Sequence, residues 1–191
     1  YYSKLKPKVT IDGKEYIVAL SRHAIERICD RCVGLWKRYA GAGDAYGLIS
    51  RYTKYDVIET YKGREKQYFL TFYEKCNKFY SSYHYVKEVL KDYDPDEQYY
   101  YRVGYCPIGF SDDFVSAITL LAPGMRGTPE YLMIKDSNLS YNEKQHFDKL
   151  INLLLKNEYF SDSSNYDAVR WFHENGIPQV LKLEDDPFVF K

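Results

Sequence analysis

The 191-residue chain has no apolar run near the roughly 18 residues that a membrane-crossing helix needs, so no transmembrane span is expected. It has no net charge: 27 Lys plus Arg stand against 27 Asp plus Glu, which by itself argues against a nucleic-acid partner. Cysteine is sparse. Cys29, Cys32, Cys76 and Cys106 form no evident disulfide framework, and no secretion signal is visible, so a reducing, cytoplasmic setting is expected. Internal repeats and low-complexity tracts are also missing. The glycine-rich stretch Gly41–Gly47 follows a helix rather than a strand and lacks Gly-Lys-Ser/Thr, so it reads as a hinge and not a phosphate loop. His173-Glu174 is not followed by the second histidine of His-Glu-x-x-His.

Tyrosine is abundant instead. There are 22, and 15 fall between Tyr39 and Tyr105. Such a composition suits an AT-rich genome, but a tyrosine ring also packs or stacks while its hydroxyl stays wet. The zero charge conceals a division. Residues 1–92 carry 18 basic and 11 acidic side chains, net +7, and residues 93–191 carry 9 and 16, net −7. The basic half suits an anionic partner, and the acidic half can screen it or simply complement it within the fold.

Turn and periodicity signals order the chain. Lys8–Leu20 reads as a hairpin about Asp12-Gly13, and Ser21 caps a helix over Arg22–Tyr39 that ends in the joint of Gly41, Gly43 and Gly47. Asp56–Tyr61 and Lys66–Tyr73 read as strands about a Lys62-Gly63 turn, and Phe79–Leu90 as helix or strand. Asp92–Glu97 is a loop. Gln98–Tyr105 and Phe114–Leu121 are strand-like, joined through Pro107/Gly109 and Asp112-Asp113, and Ala122–Pro129 is an exit loop. Ser140 and Glu143 form a capping box before a helix with Phe147, Leu150, Ile151, Leu154 and Leu155 on one stripe. A second helix covers Asn165–Asn175 and stops at Gly176, and Phe188-Val189-Phe190 suit an edge strand. The fold expected is α+β: an antiparallel sheet with an N-terminal helix packed on it and a C-terminal helical region. Residues 1–135 would be the core domain and 136–191 a helical appendage packed on it.

The first helix carries the most specific pattern. At about 100° per residue, Ile25, Ile28, Cys29, Cys32, Leu35, Trp36 and Tyr39 share one side, and His23, Arg27, Asp30, Arg31, Gly34 and Arg38 the other. Three arginines around a histidine suit phosphate contacts, because guanidinium forks pair with phosphate bidentately. An ordinary solvated face is the plain alternative. Cys29 and Cys32 lie on the apolar side, away from His23, so neither a shared metal nor a redox pair is expected, and no cofactor is implied.

Ile17-Val18-Ala19-Leu20 followed by Ser21-Arg22-His23-Ala24-Ile25-Glu26-Arg27 and Arg31 resembles the hydrophobic–Ser/Thr–x–His–Ala–x–x–Arg–x–x–x–Arg opening of small RelE/BrnT-like and DUF4258-type proteins, ribonuclease-toxin or phage-nuclease folds. Ala117-Ile118-Thr119-Leu120-Leu121 is similar to their late apolar strand. The likeness spans about 25 residues and a loose strand order; this chain is longer, with an insertion after Gly41 and an added C-terminal helical region. It implies metal-independent RNA cleavage, with His23 as general acid or base and Arg27 and Arg31 on the scissile phosphate. Thr119, or a tyrosine such as Tyr101, would complete the site from the sheet, and tyrosine rings would stack on unpaired bases. Arg38 would add a phosphate contact, and Arg126 with Thr128 in the exit loop suits an anion. RNA or another anionic ligand is thus the expected partner. A non-catalytic phage or mobile-element protein that binds a host protein or a nucleotide through its Tyr-rich surface is the alternative. A homo-oligomer pairing its +7 and −7 halves is a third reading.

Overall fold

In the computed structural model, which describes residues 8–32, 47, 49, 53–76, 86–154 and 163–185, Asp12 and Gly13 take left-handed backbone angles, φ 49° and 79°. That pair makes the tight turn that the Asp-Gly signal predicts. It joins β1 (Lys8–Ile11) to β2 (Lys14–Leu20), antiparallel, with Val9 opposite Tyr16. Side chains alternate along a strand, so Lys14, Tyr16, Val18 and Leu20 share one face of β2. Val18 and Leu20 are buried on it.

Ser21 ends β2 and caps α1 (Arg22–Arg31), its hydroxyl oxygen accepting the Ala24 N–H at 3.0 Å. Ala24, Ile25, Ile28 and Cys29 are buried, as the apolar stripe requires. Each isoleucine so buried contributes about 1.5–3 kcal/mol. The helix is shorter than expected. Cys32 is extended, φ −95° and ψ 120°, and fully buried with its thiol bonded to the Glu74 carboxylate. Tertiary burial of Cys32 thus overrides a helical period that runs on to Tyr39 in the sequence; residues 33–39 lie outside those described, as do Gly41 and Gly43.

β3 (Thr53–Lys62) and β4 (Glu65–Lys75) pair in register from Thr53 opposite Glu74 to Lys62 opposite Glu65, about a Gly63-Arg64 turn one residue later than expected. β5 (Tyr100–Phe110) runs straight through Pro107 and Gly109, where a turn was expected, and the chain reverses at residues 111–113. β6 is only Phe114–Ala117. Residues 118–120 leave the ladder before Leu121 rejoins it opposite Tyr105, with bonds of 2.9 and 2.7 Å. The backbone nitrogens of Tyr105 and Pro107 point to the same edge. Proline therefore sits where no N–H is asked for.

The strand order is β1-β2-β6-β5-β4-β3. β2 and β6 are parallel, Ile17 opposite Phe114 through Leu20 opposite Ala117. The sheet is therefore mixed rather than antiparallel. β3 to β6 alternate in direction, and β6 enters beside β2 running the same way. The class is mixed α+β, with α1 following the β1–β2 hairpin.

The described residues fall into two compact units, and none of the cuts between them lies at 135/136. The first takes the residues described between 8 and 74 together with 103–121; the second takes those of 75–102 and 122–185. In the first unit, one sheet face carries α1, with Cys32 against Glu74 and Arg31 beside Cys106. The opposite face carries a core of Ile58, Phe69 and Tyr105. Gly104 is required where Leu121 crosses β5, because a Cβ there would run into the Leu121 carbonyl.

In the second unit, Tyr100 and Tyr101 pair with Leu181 and Val180 of β7 (Val180–Leu181). The exit loop appears, and it ends in a helix that the sequence reading lacked. Thr128 caps α2 (Pro129–Asp136), and Pro129 opens it. The capping box forms as read, with Ser140 N–H donating to Glu143 at 2.8 Å ahead of α3 (Tyr141–Leu154). Phe147 of α3 meets Trp171 and Phe172 of α4 (Ser163–Glu174), ring centroids 5.0 and 6.1 Å away. Gly176, at φ 89°, ends that helix. The tail at 188–190 lies outside the described residues. Among those described, no helix is long and apolar enough to cross a membrane.

Candidate functional site

α1 is pinned at both ends to the irregular segment that follows β6. At its start the Ser21 N–H donates to the Ala117 carbonyl at 2.9 Å, and the Ser21 hydroxyl to the Ile118 carbonyl at 2.6 Å. At its end the Arg31 guanidinium donates to the Leu120 carbonyl at 2.9 Å. Thr119, half-buried, therefore lies between two anchored carbonyls, in a loop and not in the strand expected for it. Ile118 beside it is 70% exposed.

His23 and Arg27, four residues apart on α1, are both exposed. Arg31 is one turn further and half-buried. Burial and the neighbouring Arg27 charge both push its ionisation down from the usual arginine range. The first unit thus brings His23, Arg27 and Arg31 onto one helix stripe, with Thr119 in the segment that the helix grips. Two features reduce the cationic character expected there. Arg22 is spent on Glu26 at 2.9 Å, and Asp30 is exposed nearby. Arg31 also differs from expectation, because its bond to Leu120 makes it a brace for α1 as well as a charge behind Arg27.

Of the remaining expected residues, one lies outside those described and the others belong to the second unit. Arg38 lies outside the described residues. Tyr101 belongs to the second unit and is only 3% exposed, so its ring is enclosed where base stacking would need an open face. Arg126, also in the second unit, is exposed. Thr128, expected to bind an anion with it, is committed: its oxygen accepts from Gly124 at 3.1 Å and Tyr131 at 3.4 Å, and its hydroxyl donates to Met125 at 2.7 Å.

The cysteines are buried and free. Burial, then the charge of Asp30, raises Cys29 to about 11. Burial and the Glu74 carboxylate raise Cys32, and burial raises Cys106. All three are neutral thiols at physiological pH, unsuited to nucleophilic attack. Among the described residues, no three His, Cys, Asp or Glu side chains are grouped to hold a metal ion.

One feature escaped the sequence reading. Phe110 stands between Tyr16 and Tyr68, each ring centroid 5.5 Å away and nearly perpendicular to it. Lys14 Nζ lies 4.9 Å from the Tyr16 ring centre and Lys66 Nζ 5.8 Å from that of Tyr68. Strand alternation puts all three rings on the α1 face of the sheet. Asp12-Gly13 and the alternation in β2 mark Tyr16 in the sequence, but its meeting with Phe110 depends on a strand order that no local signal contains.

These features define a mixed α+β protein whose first unit presents a histidine and arginines on an exposed helix. The chain matches no family model, no curated protein and no solved structure.

Proposed function

We propose that the first unit binds RNA and cleaves it without a metal ion at the exposed stripe of α1. The observation that carries this reading is the alignment of His23, Arg27 and Arg31 on a helix braced at both ends against the segment bearing Thr119. Metal-independent cleavage needs a proton carrier and a cation at one phosphate. The 2′-hydroxyl attacks the phosphorus to close a 2′,3′-cyclic phosphate as the bond to the 5′-oxygen breaks. His23 moves one of the two protons this requires, from the nucleophile or to the leaving oxygen, and water the other. Arg27, exposed one turn away, pairs with the phosphate. Arg31, behind it, adds charge and holds the stripe in place, and the Thr119 hydroxyl supplies a further hydrogen bond. The RelE/BrnT-like resemblance of residues 17–31 supports the same assignment. Incubation of the protein with single-stranded RNA and a chelator tests it: cleavage by the wild type, lost in His23→Ala and Arg27→Ala, is the expected result.

The exposed aromatic row favours a second reading, in which the protein binds a host protein or a nucleotide through its Tyr-rich surface and does no chemistry. Under that reading the wild type leaves RNA intact.

A further inference from the structure

We infer that the row Tyr16–Phe110–Tyr68 is a stacking platform for unpaired RNA bases, holding the strand that α1 acts on. This rests on the RNA reading of α1 and extends it, since it names single strands as the substrate class. Phe110 is 49% exposed at the end of β5, although the same sheet face is fully buried further along at Val18, Leu70 and Cys106. The sheet core therefore opens into solvent at this end as a line of rings. Tyr61 of β3 extends the line on the same face, since it lies opposite Lys66 and is 59% exposed.

Charge favours a nucleic-acid occupant. A lysine ammonium lies over the ring of each tyrosine of the row, so a base that stacks there must move the ammonium aside, toward the phosphate it carries. Each lysine now has an acidic neighbour, Asp113 at 3.8 Å from Lys14 and Glu59 at 2.9 Å from Lys66. Lys14–Asp113 is a wide, exposed pair that a phosphate can displace at little cost, whereas Lys66–Glu59 is closer and its carboxylate only partly exposed, so Lys14 is the cation that a phosphate takes first. Stacking then supplies most of the affinity, as it does on other single-strand platforms. Position agrees with this. Tyr16 and Leu20 lie on one face of β2, four residues or about 13 Å apart, and Leu20 leads directly into Ser21 and α1. The row crosses the strands, so a single strand lying on it reaches β2 at Tyr16, and only a strand that turns there along β2 continues toward α1. A duplex, whose bases are already stacked, gains nothing from the row.

The test is fluorescence anisotropy with a labelled oligouridylate and with a duplex RNA of equal length, using wild type, Phe110→Leu and Tyr16→Phe. Leucine keeps apolar bulk and removes the flat ring; phenylalanine keeps the ring. Circular dichroism confirms that each variant is folded. Wild type and Tyr16→Phe should bind the single strand alike, and Phe110→Leu roughly tenfold more weakly, with duplex binding unchanged by either. Equal single-strand binding by Phe110→Leu overturns the platform. If His23→Ala still abolishes cleavage in that case, the reading of α1 survives alone. A wild type that neither binds nor cleaves RNA overturns both. Self-association of the wild type that Phe110→Leu disperses also overturns the platform, because a second protein surface would then be its occupant.

Discussion

Replacing Ser21 tests whether α1 is held by the contacts described. Its hydroxyl has two tasks: it accepts the Ala24 N–H at 3.0 Å and donates to the Ile118 carbonyl at 2.6 Å. Loss of a serine cap costs about 1 kcal/mol, and loss of one further hydrogen bond about 0.5–1.5 kcal/mol. Ser21→Ala should therefore destabilise the first unit by about 1.5–2.5 kcal/mol. Two other substitutions separate the tasks. Ser21→Thr keeps both bonds and should fall within about 0.5 kcal/mol of wild type. Ser21→Asp keeps the cap but cannot donate to Ile118, so it should lie between the two. Hydrogen exchange at the amides of residues 24–26 reads the opening of α1 directly and does not require both units to unfold together. An alanine variant as protected as wild type would refute the double role, and an aspartate variant as weak as alanine would refute the cap.

Other outcomes follow from the same contacts. Gly104→Ala forces a methyl group into the Leu121 carbonyl and should cost about 1–3 kcal/mol; urea denaturation showing no loss would contradict the close crossing. Arg31→Ala should lower stability by about 1 kcal/mol through the lost Leu120 bond, while exposed Arg27→Ala should leave the urea midpoint unchanged. Equal midpoints would remove Arg31 from its bracing role. Folding holds the Cys29 thiol protonated up to about 11, against about 9 for a free thiol, and raises Cys32 and Cys106 as well. The folded state therefore binds the extra protons, so this contribution is complete below pH 9 and is lost as pH rises toward 11. A urea midpoint that falls between pH 8 and pH 10 is expected, with no native-state labelling of these thiols at pH 8. A midpoint that rises, or rapid labelling, would contradict their burial.

Local signals carried much of the fold. Asp12-Gly13, the Ser21 cap, the Ser140/Glu143 box and Gly176 each act within a few residues, and each appears where its chemistry places it. Errors arose where distant residues decide. The helix ends at Arg31 because Cys32 is buried against Glu74, forty-two positions away. Pro107 continues a strand because residues 118–120 leave the ladder beside it. The parallel pairing of β2 with β6 is invisible to periodicity. Thr128-Pro129-Glu130 carries a local helix start, a cap followed by proline and an acid, inside the segment whose Gly and Pro content suggests only an exit loop. At the candidate site, helical spacing was enough to gather His23, Arg27 and Arg31. It could not separate the open Phe110 from the enclosed Tyr101, since burial is a property of the whole unit.

The most direct measurement is cleavage of a labelled single-stranded RNA by wild type, His23→Ala and Arg27→Ala, in chelator and with folding of each variant verified. Cleavage by wild type is expected, lost in His23→Ala and cut at least tenfold in Arg27→Ala. Intact RNA with the wild type, or undiminished cleavage by His23→Ala, would contradict the reading of α1.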